Sequence, residues 1–105
     1  MKKSQCYRAC RGEDKELVFI LTDTRLEVVT DENGNSYNIH FHKLDKMWSA
    51  TEENSGMLCV PGRYVTLELC YEAVLRCRNV YKRALSTEYS MNIRNKLKEF
   101  KESLI

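Results

Sequence analysis

The stretch Leu17–Phe41, LVFILTDTRLEVVTDENGNSYNIHF, holds three apolar runs separated by two short polar breaks. All five residues of Leu17–Leu21 are apolar, and a run this short reads as a strand with both faces at least partly covered. Thr22-Asp23-Thr24 is a tight polar break, after which Leu26, Val28 and Val29 carry a second run from Arg25 to Thr30. Asp31–Asn35 is the clearest turn in the chain, because Asn33-Gly34 supplies the positive φ that hairpin turns demand. The third run alternates: Tyr37, Ile39 and Phe41 point one way, Asn38, His40 and His42 the other. The stretch is therefore expected to be an antiparallel three-stranded meander whose third strand has one wet face.

The flanking sequence extends that pattern. Gln5–Cys10 reads as a first strand, with Arg11–Lys15 as its loop. Leu44–Ala50 reads as a short strand carrying the single tryptophan, Trp48, and Thr51–Gly56 as a polar loop. Met57–Val60 is extended up to Pro61-Gly62. Arg63–Cys70 alternates, with Val65, Leu67 and Leu69 opposite Tyr64, Thr66, Glu68 and Cys70. Ala73–Val80 reads as another strand; a helix over Tyr71–Leu85 also fits, since Val74, Cys77, Tyr81 and Leu85 follow a 3.6-residue period. We prefer the strand. The last segment is different: Tyr89, Ile93, Leu97, Phe100 and Leu104 form one apolar stripe of an amphipathic helix. Ser86 or Thr87 suits its N-cap, Glu88 its positive start, and Lys98 and Lys101 its negative end.

A chain of 105 residues is one domain, with a modest core. At 43% hydrophobic and 30% charged residues its composition is that of a globular protein, and no apolar stretch is long enough to span a bilayer. The basic start, Met1–Gln5, is not followed by an apolar signal core, so no secretory leader is expected. Five cysteines (Cys6, Cys10, Cys59, Cys70, Cys77) are an odd count and sit mostly in apolar runs. They read as reduced thiols of an intracellular protein, placed in the cytoplasm rather than the nucleus.

About seven short strands followed by one long amphipathic helix is the pleckstrin-homology order of elements. The chain resembles the GRAM, GLUE and TFIIH-subunit type of that superfamily at LVFILTDTRLEVV (17–29) and YNIHFHKLDKMWSA (37–50). Leu21, Thr22, Arg25 and Leu26 match the end of one characteristic strand, and Ile39 with Leu44-Asp45-Lys46 roughly matches the next; His40 stands where proline is common. The resemblance implies an α+β, mainly β, barrel of about seven antiparallel strands capped by the C-terminal helix. It also implies recognition rather than catalysis.

Little in the sequence carries chemistry. His40 and His42 lie two apart on one strand, so both leave the same face. Cys6 and Cys10 could add thiolates, but no Cys-x-x-Cys pair occurs and the spacings depart from known zinc patterns. No P-loop, dinucleotide fingerprint or nucleophile elbow is present. No enzyme, metal or cofactor is expected. Charge is more informative. Residues 76–105 hold eight Lys or Arg against three acids, whereas the first 75 hold nine against twelve. Arg76, Arg78, Lys82 and Arg83 form the densest basic cluster. It suits an acidic peptide or an acidic lipid. Nucleic acid fits poorly, because no aromatic platform is interleaved with the cations.

In lipid-binding pleckstrin domains a Lys in the first strand and a basic pair in the second surround the first loop. Here Arg8, Arg11 and Lys15 are flanked by Glu13, Asp14 and Glu16, and Leu17–Leu21 holds no cation. The expected function is a non-catalytic module of a larger intracellular assembly that recognises a protein or peptide partner. Arg76, Arg78, Lys82 and Arg83 are its charged contact, and His40 and His42 with Trp48 a further candidate surface. The alternative is a phosphoinositide-binding, membrane-targeting module.

Overall fold

A computed structural model describes all residues, Met1–Ile105. Four strands, β1 (Lys2–Arg11), β2 (Leu17–Thr30), β3 (Ser36–Leu44) and β4 (Met47–Glu52), form one antiparallel sheet in the order β1-β2-β3-β4. Helices α1 (Leu67–Cys77), α2 (Tyr81–Leu85) and α3 (Glu88–Ser103) follow, with a 3-10 turn at Arg78–Val80 between the first two.

The expected hairpin at Asp31–Asn35 is present, but the three-stranded meander and the barrel are not. Leu17–Leu21 and Arg25–Thr30, read as two strands, are one continuous strand, β2, because Thr22-Asp23-Thr24 stays extended and paired with β1. The sheet is open, because residues 63–80, read as two further strands, are mostly helix. The alternation of Val65, Leu67 and Leu69 is a false signal: Val65 is 68% and Leu69 44% exposed. Buried Cys70, Ala73 and Val74 instead follow the helical period. Leu67–Cys77 is rich in helix formers and has one β-branched residue, Val74. Thr66 caps it by accepting a hydrogen bond from Leu69 N–H, and Glu68 and Arg76 suit the two ends of the helix dipole. The competing helix over residues 71–85 was the nearer reading.

The two faces of the sheet differ. On one, Val29, Ile39, Phe41 and Ala50 pack against Cys70, Ala73, Val74 and Tyr81 from the helices and against Val60. Tyr37 meets Tyr81 edge-on at 5.5 Å, and Tyr71 lies 5.8 Å from Phe41. This is the apolar core. The other face carries His40 and His42 of β3, paired across to Thr51 and Ser49 of β4. All four are buried, so of the expected wet face, Asn38, His40 and His42, only Asn38 meets water.

What covers it is the β1–β2 hairpin. β2 pairs with β1 from Leu17 to Leu26 but with β3 only from Arg25 to Thr30. The N-terminal half of β2 and all of β1 thus form an arm that curls over the polar face. The Ala9 N–H donates to the Gly56 carbonyl across the gap, at 2.7 Å. Gly56 has φ +70°, and a Cβ there would lie 2.7 Å from the Tyr7 carbonyl oxygen, so only glycine lets the arm approach this closely.

Helix α3 bears out the centre of the expected stripe, whereas Tyr89 and Leu104 at its ends are exposed. Thr87 accepts from Ser90 N–H as its N-cap, and Ile93 and Leu97 are buried. Phe100 packs edge-on to Tyr7 at 5.2 Å and near Phe19 at 5.3 Å, fixing α3 to the arm. All five cysteines are free thiols.

Candidate functional site

The expected basic cluster lies on helix, not on a last strand. Arg76 ends α1, Arg78 opens the 3-10 turn, and Lys82 and Arg83 belong to α2. None of the four forms an ion pair; Arg78 donates to the Leu75 carbonyl at 3.3 Å. On a helical run, neighbours lie three and four residues apart. Arg76 and Arg83 therefore flank Val80, and Arg78 and Lys82 run toward Leu85.

Along the same helical run lies an apolar groove of about 240 Å³, walled by Met57–Pro61 with Glu52 on one side and by Cys77, Val80, Tyr81, Ala84 and Leu85 on the other. Its walls leave Leu58 52% and Val80 45% exposed. The Tyr81 hydroxyl donates to the Cys59 carbonyl at 2.9 Å and ties the two walls together. Burial pushes the Cys59 thiol up to about 12, so it is a neutral wall residue rather than a nucleophile. The sequence reading missed this groove because it placed residues 73–80 on a strand. The helical spacing of Val80 and Ala84 beside four cations was the available signal.

His40 and His42 are not a surface. His40 Nδ1 lies 2.7 Å from Thr24 Oγ1 and its Nε2 2.9 Å from Glu53 Oε1. His42 Nε2 lies 2.7 Å from Thr51 Oγ1. Burial first, then the charge of Arg8, pushes His42 down to about 4, so its ring is neutral at physiological pH. Burial alone would raise the Glu53 carboxyl, but hydrogen bonds from Asn38 and His40 and the nearby His40 and Lys101 charges hold it below the usual range. His42 Nδ1 and Ser49 Oγ, on directly paired residues, have no partner. No three His, Cys, Asp or Glu side chains converge as metal ligands would. Trp48 is half-buried, with Lys43 Nζ 5.5 Å above its ring.

A second basic feature was legible yet overlooked. Arg94, Lys98 and Lys101 recur at helical spacing on the exposed side of α3 and line one hollow with Asn54 and Asn95. Arg94 also faces Lys82 across a polar cleft of about 520 Å³ bordered by Asn35, Asn38 and Asn54. Glu52 borders that cleft too, but its carboxylate accepts from the Asn54 and Ser55 amides at 2.7 and 2.9 Å, which makes it a loop brace. In the first loop Arg11 reaches Tyr89 and the Lys15 carbonyl, while Glu13, Asp14 and Glu16 stay exposed. No helix is long and apolar enough to cross a membrane. Compared with family models, with curated proteins and with solved structures, the chain matches none, so its own geometry carries the functional argument.

Proposed function

We propose that this protein is a non-catalytic recognition module of a larger intracellular assembly, holding an amphipathic segment of a protein partner in the groove between Met57–Pro61 and α1–α2. Apolar side chains of the segment would lie on Leu58, Val60, Val80 and Leu85. Its carboxylates would reach Arg76, Arg78, Lys82 and Arg83. One observation carries the reading: an apolar groove with exposed walls runs along a helical segment that also carries four cations without an ion-pair partner. Exposed apolar surface rimmed by polar groups marks interaction sites. Grooves beside helices accept apolar anchors, while rim charges set encounter and specificity. Five unpaired cysteines support the intracellular placement.

The test begins with a displayed library of random peptides panned on the purified protein. Enriched peptides should combine spaced apolar residues with Asp or Glu. Their amide shift perturbations should centre on residues 57–61 and 77–85. Arg76→Glu with Arg83→Glu should weaken binding, more strongly at low salt. Enriched peptides without acidic residues, or shifts centred elsewhere, would refute the reading.

The acidic-lipid alternative keeps one observation in its favour, the stripe Arg94–Lys98–Lys101 with Met91 beside it, 50% exposed. Co-sedimentation with phosphoinositide vesicles, lost in Lys98→Glu, would favour it over the groove.

A further inference from the structure

A free border of the sheet lies inside β2. β4's outer edge is covered by the chain itself: Trp48 and Tyr64 exchange backbone hydrogen bonds of 2.6 and 2.8 Å, and Cys59 N–H donates to the Ala50 carbonyl at 2.9 Å. β1's outer edge opens with Lys2 and Lys3 and is tied at Ala9 to the Gly56 carbonyl. Leu17–Leu21 has neither protection. On its β3 side no strand pairs with it, because β3 pairs with β2 only from Arg25 onward and ends at Leu44. This border contains no charge and no proline, and Ile20 and Leu21 are 45% and 51% exposed. Edges of this kind are templates for pairing with another strand.

The occupant is indicated by the charges at its two ends. At one end, the β1–β2 turn Gly12–Glu16 carries Glu13, Asp14 and Glu16 against Lys15, all exposed and without ion pairs. At the other end, β2 and β3 splay apart around a cleft of about 420 Å³ bordered by Lys3, Asp23, Arg25, His42 and Lys43. Asp23 accepts from Gln5 Nε2, which leaves the three cations dominant. Acidic tip and basic notch are separated by the five-residue border itself.

We infer that two copies of the chain pair antiparallel along Leu17–Leu21, with Phe19 opposite its own symmetry mate, and that each places its acidic β1–β2 turn against the other's notch of Lys3, Arg25 and Lys43. In this register the two apolar runs coincide, Leu17 opposite Leu21. Continuing outward, Lys15 of one chain is level with Asp23 of the other. Asp23 and Lys43 line the same cleft. The notch therefore stands where the tip arrives, and the contact is repeated by the two-fold axis, as an isologous interface requires. The surface is separate from the groove on α1–α2, so either assignment can fail without the other.

Sedimentation of the intact protein over a concentration series tests the pairing. The parent should sediment as a reversible dimer. Ile20→Lys and Leu21→Lys, both at exposed positions, should raise the dimer dissociation constant roughly tenfold or more while leaving the thermal melt of the fold unchanged. A charge swap supplies a second measurement. Glu13→Lys with Glu16→Lys in one chain, and Arg25→Glu with Lys43→Glu in another, should each be monomeric alone and dimerise when mixed, since only the heterodimer pairs opposite charges at both notches. A parent that stays monomeric at every concentration would overturn the inference. So would a dimer indifferent to Ile20→Lys, or swapped chains that fail to associate.

Discussion

Replacing Gly56 with Ala probes how the β1–β2 arm is held. The backbone there sits at φ +70°, a region that costs an L-residue with a side chain about 1–2 kcal/mol. The added Cβ would also meet backbone on both sides, 2.7 Å from the Tyr7 oxygen and 3.0 Å from the Ala9 nitrogen. Neither atom belongs to a flexible side chain, so β1 must retreat, and the 2.7 Å bond from Ala9 N–H to the Gly56 carbonyl is lost or stretched. That adds about 1 kcal/mol. The whole effect is then about 2–3 kcal/mol. Gly34→Ala is the control: its φ is +82°, but nothing lies within 4 Å of the new Cβ, so only the conformational cost applies. Urea and thermal unfolding of the two variants should differ by about 1 kcal/mol or more, several degrees in Tm for a domain of this size. If Gly34→Ala and Gly56→Ala melt alike, β1 does not rest on the Gly56 loop and the arm is not docked as described.

Other consequences are open to measurement. His42 should contribute an acid-sensitive limb. Its folded value of about 4 lies below its ordinary 6.5, so between these the unfolded chain binds the extra proton and stability falls as pH drops, by up to roughly 3 kcal/mol. Unfolding midpoints from pH 7.5 to 4.5 should show it, and His42→Gln should flatten it; an unchanged slope in that variant would assign the limb elsewhere. Leu97→Ala, at a position 1% exposed, should cost about 2–5 kcal/mol in chemical denaturation. Melting like the parent would mean that α3 does not pack on the arm and the loop. Thr66→Ala should cost about 1 kcal/mol through loss of the α1 cap, an effect absent if residues 63–70 were a strand. Cys6 and Cys70, both pushed up to about 11 by burial, should resist alkylation in the native protein and react once it is unfolded, as read by mass spectrometry.

The β2–β3 hairpin was legible because its signals are local, whereas Thr22-Asp23-Thr24, read as a break between two strands, lies inside β2. Asn33-Gly34 supplies the turn, Gly34 does take positive φ, and Asp31 accepts from the Asn33 and Asn35 amides to hold it. Helix α3 was legible because its stripe is long and no strand pattern competes with it. Residues 63–80 failed because apolar residues there satisfy both periods, and composition, capping and burial side with the helix. The fate of His40 and His42 was not legible at all. Alternation in β3 correctly separated their face from that of Ile39 and Phe41. Whether that face meets water depends on a bend in β2 that has no sequence mark beyond Thr22-Asp23-Thr24. The four cations were visible, but the groove along the same helical run needs Met57–Pro61, distant in sequence, to supply its second wall.

The polar layer under the arm has a bearing on dynamics. Helix α1 and strands β3–β4 are joined by Phe41, Ile39, Val74 and Ala73, apolar groups that gain by leaving water. The arm is joined to the same sheet through the Thr24 hydroxyl on the His40 imidazole and the Ala9–Gly56 backbone bond, polar links that water would serve nearly as well, with His42 Nδ1 and Ser49 Oγ left unserved beneath it. These two attachments should come apart at different free energies. The arm is then a separate cooperative unit that opens sub-globally while the rest stays folded. Native-state hydrogen exchange should reveal two tiers: the Ala9 amide, bonded to the Gly56 carbonyl, exchanging through the cheaper opening, and the amides of Ile39 and Phe41 only through complete unfolding.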